Sequence, residues 1–321
     1  MKAIILSLIL VIFFSQCKKE ELPIPKRADS NLIVQSVNMN TDYKYQIFFD
    51  LESNSMTGSN VKTDWDLAFN CNILTPAINL NGAKYMSVWN TGYVNFADIP
   101  DVQLAEWKYD TPESHIIQTA FGNQWITQNG LVYVVDRGYD PSGALLGYFK
   151  CTISLLPNGS FEIKSADLDG DNETTTIITP DIARNRLTYS YDTKDIVSFE
   201  PKKDNWDILF SQYTYVYPDS QTYLVNGVLI NEFETRIAID SVMSFSDITI
   251  ADTNIFEFTN RIDEIGFDWK YYDFSTGSFI ILPNKSYVIK TSESKVFKLR
   301  FIDFYDENGV KGFPTFEFQE L

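Results

Sequence analysis

An all-β fold is the expectation for this 321-residue chain, and three observations carry it. Apolar and polar residues alternate with period two in several long runs. Aromatic side chains make up 15% of the chain, and strands favour them. Turn-forming dipeptides punctuate the runs, and no long segment has a 3.6-residue period.

The elements follow in order. Tyr45, Ile47, Phe49 and Leu51 alternate with Gln46, Phe48, Asp50 and Glu52, which predicts a half-buried strand. Phe297, Leu299 and Phe301 alternate with Lys298, Arg300 and Ile302, and Phe316 and Phe318 with Thr315, Glu317 and Gln319. Asn81-Gly82, Asn129-Gly130, Pro157-Asn158-Gly159, Asn226-Gly227 and Asn308-Gly309 are the expected turns. The stretch from Asn260 to Ile265 is the one candidate for a helical turn or two. Antiparallel meanders are the natural way to connect such strands.

The chain also repeats itself. Trp65-Asp66-Leu67-Ala68-Phe69 returns as Trp206-Asp207-Ile208-Leu209-Phe210. Phe96-Ala97-Asp98-Ile99 is answered by Phe245-Ser246-Asp247-Ile248, Phe149-Lys150 by Phe297-Lys298, and Phe161-Glu162-Ile163 by Phe316-Glu317-Phe318. The order is kept while the offset drifts, as loop insertions would make it. We expect a duplication, with copies over 40–175 and 182–321, packed tightly because no Gly/Ser-rich linker separates them. The two Asp residues of the pentads are expected to accept backbone N–H bonds at a buried strand start.

The N-terminus reads as an export signal. Lys2 precedes an apolar run from Ala3 to Phe14, of signal-peptide length and too short to span a bilayer. Ser15-Gln16-Cys17 then resembles a lipobox, so residues 1–16 are the expected signal and Cys17 the expected lipidation site. Lys18-Lys19-Glu20-Glu21 resembles the surface-export signal of Bacteroidota lipoproteins, and 17–39 form a tether. The formal net charge of −17 argues against nucleic acid and against adsorption to anionic lipid. Membrane contact is therefore expected only through the lipid anchor. Cys71 and Cys151 are the other cysteines, and spacing leaves open whether they pair.

Few residues suit catalysis. His115 is the only histidine, and no Gly-x-Ser-x-Gly is present, so a Ser-His-Asp triad is poorly served. Asp167-Leu168-Asp169-Gly170-Asp171 places oxygen donors at alternate positions, as a calcium loop does. Asn172 and Ile178 stand where an EF-hand needs Gly and Glu, and an acidic hairpin turn is the plainer reading. Tyr213, Tyr215 and Tyr217 share one face of a strand and form either ordinary packing or a platform for a flat ligand. No enzyme is expected.

The C-terminal block sharpens this. Tyr287-Val288-Ile289-Lys290-Thr291, Phe297-Lys298-Leu299-Arg300-Phe301-Ile302-Asp303-Phe304-Tyr305 and Gly309-Val310-Lys311-Gly312-Phe313-Pro314-Thr315-Phe316-Glu317-Phe318 resemble the closing strands of HmuY-like haem-binding lipoproteins of Bacteroidota. Asp204 to Phe210 resembles the family's Trp-Asp-(Ile/Leu)-x-Phe opening, and Tyr223 to Leu229 a segment of its longer members. The resemblance implies an all-β haemophore-like protein anchored in the outer membrane at the cell surface. It would take haem from host or environmental haemoproteins and pass it to a TonB-dependent outer-membrane receptor. It further implies haem as cofactor, held by two side chains, commonly a His pair and in some members involving Met. A bis-His site is impossible with one histidine, which leaves Met86, Met243 and His115 as candidate iron ligands. The alternative is a surface lipoprotein on the same fold that binds glycan, another small ligand or a protein partner.

Overall fold

The β-rich sequence becomes twenty strands and only short helical turns in the computed structural model, which describes residues 31–111 and 119–321. The chain is all-β, and every strand pairing is antiparallel. Residues 1–30 and 112–118 lie outside the described residues, and with them the Cys17 and His115 expectations.

Two lobes have matching sheets. In the first lobe a five-stranded sheet runs Thr174–Ile178, Phe161–Ala166, Tyr148–Leu155, Tyr133–Asp136, Ser87–Asn90. In the second, Ile33–Ser36, Lys311–Glu320, Val296–Tyr305, Ser286–Lys290, Arg236–Asp240 occupy the same order. Each lobe adds a four-stranded sheet. Asp195–Val197, Arg186–Ser190, Leu67–Asn70 and Ile78–Leu80 correspond to Ser55–Val61, Tyr45–Asp50, Ile208–Val216 and Thr222–Ile230.

The lobes are bounded differently from 40–175 and 182–321. Val37, Met39, Ile47, Phe49 and Leu51 pack in one core with Ile208 to Phe318, in the second lobe. Ile178, Leu187, Tyr189 and Tyr191 pack in the other core with Leu67 to Ile163. Each lobe thus takes two strands of its four-stranded sheet from outside its expected range, and the second also takes Ile33–Ser36, so the end of the expected 17–39 tether is part of the fold, held by its pairing with Lys311–Glu320. The reason is visible at the pentads. Asp66 donates its N–H to the Tyr189 carbonyl (2.8 Å), and its carboxylate accepts the Tyr191 N–H (2.8 Å). Asp207 donates to the Phe49 carbonyl (3.0 Å) and accepts from Leu51 N–H (2.9 Å). Each aspartate stitches its strand to a partner far away in sequence.

Other landmarks match as closely. Lys150 is buried, donates to the Asp98 carbonyl (3.0 Å) and lies 5.1 Å from the Phe96 ring centre. Lys298 is buried, donates to the Phe245 and Ile248 carbonyls (2.9 and 3.0 Å) and lies 5.0 Å from the Phe245 ring centre. Asn81 and Asn231 each donate through Nδ2 to the carbonyl of their lobe's pentad tryptophan, at 2.9 and 3.0 Å.

Three local expectations change. Gln46 and Phe48 are buried along with Ile47 and Phe49, because that strand is central and its second face meets the other lobe. Asn226-Gly227 lies inside Thr222–Ile230 rather than at a turn. There the backbone of Gly266 crosses so closely that a Cβ on Gly227 would sit 2.4 Å from its carbonyl oxygen. Asn260 to Ile265 is bends and turns, and the helical turn forms instead at Ile250–Asn254, behind a Thr249–Asp252 capping box. Cys71 and Cys151 are buried free thiols in the first core, and burial pushes the Cys71 thiol up to about 11.

Candidate functional site

The sequence candidates do not converge. Met86 is 1% exposed and packs in the first core, so its sulfur is enclosed by aliphatic and aromatic neighbours. Met243 is half-buried in the loop after Arg236–Asp240, its N–H donated to Asp240 (2.9 Å). Asp167, Asp169 and Asp171 form the hairpin turn between Phe161–Ala166 and Thr174–Ile178. Asp167 accepts hydrogen bonds from Tyr191 (2.5 Å) and Asn172 (2.7 Å), and Asp169 from the Asp171 N–H (3.0 Å). Turn and tyrosine thus already use both oxygens of Asp167 and one of Asp169. Among the described residues, no three His, Cys, Asp or Glu side chains gather as a metal site.

Tyr213, Tyr215 and Tyr217 climb one face of Ile208–Val216 and its end, from buried to half-buried to exposed. Tyr213 and Tyr215 pack on Phe267 with ring centres 6.5 and 5.2 Å apart, and Tyr215 meets Tyr217 at 4.9 Å. Their faces are used against neighbours, so they make a ridge rather than an open platform.

An open tyrosine-lined groove of about 470 Å³ does exist, between the lobes. Its first-lobe wall starts at the 3-10 turn Gly82–Lys84, which Asn81 caps through its side chain. Tyr85 ends that turn in the left-handed region, φ 65°, and its hydroxyl reaches Thr222 of the other lobe. Gly138 holds the next loop against it, since a Cβ there would lie 2.0 Å from the Lys84 carbonyl oxygen. Tyr139 then donates its N–H to that carbonyl (2.9 Å), with its ring 6.3 Å from Tyr85. Tyr109 flanks Tyr85 at 5.3 Å. Opposite stands Tyr223, 64% exposed, at the end of the second-lobe hairpin.

The floor carries one cation. Lys62 is the sole Lys or Arg among the described residues lining the groove, and its Nζ donates to Gln212 (2.6 Å). Burial pushes its amine down, while Asp42 and Asp140 pull it back up. Asp42 and Asp140 line the groove beside that lysine, so the tyrosine rings, which suit a flat ligand, are its main recognition feature and Lys62 its one point for an anionic substituent. Phenols are also among the oxygen donors that haem iron accepts. None of Tyr85, Tyr139, Tyr223 or Lys62 was singled out by sequence as a site residue. The best local signal was Gly138-Tyr139-Asp140-Pro141, an aromatic set in a turn-rich loop.

Comparison with known proteins comes down to one family. The model of the HmuY protein family matches residues 42–318 as a single span through both lobes. No curated protein matches. Among solved structures, similar chains include apo PinO from Porphyromonas gingivitis, at 9% identity, covering 91% of this chain and 98% of that one, TM-score 0.31. The apo HmuY analog TFO of Tannerella forsythia has 9% identity, the same coverage and a TM-score of 0.34. An HmuY-like chain from Bacteroides vulgatus, described as heme binding, has 14% identity, 91% and 94% coverage and a TM-score of 0.25.

Proposed function

The chain belongs to the HmuY protein family, and from that membership we propose that it is a haem-binding lipoprotein of the outer-membrane surface, a carrier with no chemistry of its own. The observation that carries this is the tyrosine-lined groove with Lys62 on its floor. Haem is flat, aromatic and anionic at its propionates. The rings of Tyr139 and Tyr223 would cover its faces, and Lys62 would meet a propionate. The group itself supplies only the iron and its oxidation state. The protein's residues orient it and shield it from water. In this role the carrier takes haem from a haemoprotein and delivers it to a TonB-dependent receptor.

The same proposal takes the two lobes as copies of one ancestral unit. The support is the matched sheet orders, the paired Asp66 and Asp207 stitches and the paired Lys150 and Lys298.

A second reading keeps the groove and changes the ligand. It is favoured by the enclosure of Met86 and by the single histidine, both of which leave the iron poorly served. The groove would then hold another flat anion, with glycans or a protein partner as further alternatives.

Haem spectra of single-residue variants separate these. Tyr85→Phe, Tyr139→Ala, Tyr223→Ala and Lys62→Met are expected to weaken haemin binding by about tenfold or more each, equivalent to roughly 1.4 kcal/mol. Met86→Ala, Met243→Ala and His115→Ala are the control set, measured with and without dithionite. A soft thioether prefers ferrous iron, so a reduction-strengthened affinity lost in Met243→Ala would move the site to that loop. Unchanged affinity in all four groove variants would remove the groove from the proposal.

Anchoring is tested apart from binding. Cys17→Ala is expected to shift the protein from the detergent phase to the aqueous phase, or to leave its signal uncleaved. Unaltered partitioning with normal cleavage would refute the anchor.

A further inference from the structure

A second cavity, of about 160 Å³, lies deeper between the lobes. An engineered apolar cavity of about 150 Å³ accepts benzene, which sets the scale. Phe48, Phe199, Trp206 and Leu229 give it aromatic and aliphatic walls. Among the described residues its charged lining is lopsided: Asp110, Glu200 and Glu232 face Arg186. Arg186 is already committed, forming an ion pair with Glu232 and donating Nε to the Asn79 carbonyl oxygen Oδ1 (3.3 Å). Asp110 is satisfied by the N–H groups of Leu80 and Ala120, both at 2.7 Å. Glu200 is different. It is 8% exposed, and among the described residues its Oε1 has no hydrogen-bond partner, while the carboxyl takes the N–H groups of Asn185 and Arg186. Burial pushes its carboxyl up to about 7, against the pull of Arg186.

We propose that this cavity binds a small organic cation, an ammonium carried on an apolar group of about benzene's size, with the N–H donors on Glu200 Oε1 and the apolar group between Phe48, Phe199 and Trp206. An aromatic wall attracts a desolvated cation, and a carboxylate short of a partner supplies the direction. Glu232 cancels Arg186, which leaves Asp110 and the ionised Glu200 as counter-charge for an entering cation. Near neutral pH the Glu200 carboxyl releases its proton to solvent on binding, so that the ammonium faces a carboxylate. No step depends on haem, and the site is separate from the groove of Lys62 and Tyr139.

The test is calorimetric titration of the full mature protein with benzylamine, benzyl alcohol and toluene. Benzylamine is expected to saturate the site, with the two neutral probes at least about tenfold weaker. Titration at pH 6 in buffers of different ionisation enthalpy is expected to show release of about one proton per benzylammonium bound. Glu200→Gln, an uncharged near-isostere that fits the buried position, is expected to melt no lower than the wild type, lose about tenfold or more in benzylamine affinity and abolish the proton release. Equal binding of the three probes would make the cavity a plain apolar pocket and overturn the proposal. So would unchanged benzylamine affinity in Glu200→Gln, or no saturable uptake by the wild type.

Discussion

Asp66→Asn is expected to destabilise the fold by roughly 3–5 kcal/mol at neutral pH, the cost of leaving buried charge without its partner. The corresponding Asp207→Asn is expected to be close to neutral at pH 4 and stabilising at pH 8. The two residues hold the same place in their pentads and make the same backbone bond, so the difference lies in what else each meets. Asp66 is fully buried with Lys84, itself fully buried, and with Arg137, whose Nε lies 3.0 Å away. Burial alone would raise its carboxyl. Lys84 and Arg137 outweigh that and hold it below its usual value. Among the described residues Asp207 has the Leu51 N–H and Thr235 but no cation beside it, and burial, with Asp50 and Glu52 nearby, pushes its carboxyl up to about 7.

The pH dependence follows with opposite signs. Asp66 contributes stability above its unfolded pKa, and this is lost as pH falls through the lower folded value. Asp207 contributes stability that is full below its unfolded value near 3.8 and is lost as pH rises through about 7. Glu200, raised from 4.5 to about 7, adds a slope of the same sign as Asp207. A shift of about three units is on the order of 4 kcal/mol, the scale of the loss Asp207 imposes between pH 4 and 8. Chemical denaturation of both variants at pH 4 and pH 8 checks this. Equal destabilisation by the two substitutions, or a pH-independent Asp207→Asn, would contradict it.

Trp206→Ala is expected to cost roughly 3–5 kcal/mol, the range for emptying a buried aromatic site. Trp206 is 5% exposed, meets Phe48 edge-on with ring centres 5.1 Å apart, and already borders the 160 Å³ cavity. Its removal therefore enlarges an existing void where the walls have little to collapse on. Trp65, its pentad counterpart, is only half-buried and donates Nε1 to Gln46 (2.8 Å), so Trp65→Ala should cost less. Melting temperatures of the two variants decide it, and an unaltered value for Trp206→Ala would overturn the structural role of the pentad.

The fold was largely legible because strand alternation, turn dipeptides and repeated pentads are local signals. Tyr45 to Leu51 and Phe297 to Phe301 became strands on period alone. Less legible was which lobe a strand would join. That depends on pairings such as Tyr45–Asp50 with Ile208–Val216, across about half the chain. Asn226-Gly227 misled because the glycine serves the close crossing of Gly266, a tertiary need that a dipeptide does not reveal. The groove was hidden for a similar reason. Tyr85, Tyr139 and Tyr223 are scattered in sequence, and only Gly138 and the lobe contact bring them together. Met86 looked available because spacing does not report burial, whereas Ser87–Asn90 immediately after it is a sheet strand that turns its sulfur into the core.

Haemin titration of the wild-type protein, followed in the Soret region in both oxidation states, tests the proposed function most directly. Saturation near one haem per chain, with a shifted and sharpened Soret band that reports iron ligation, is the expected result. A weak, unsaturable and featureless change would contradict haem binding and leave the groove to another flat anion.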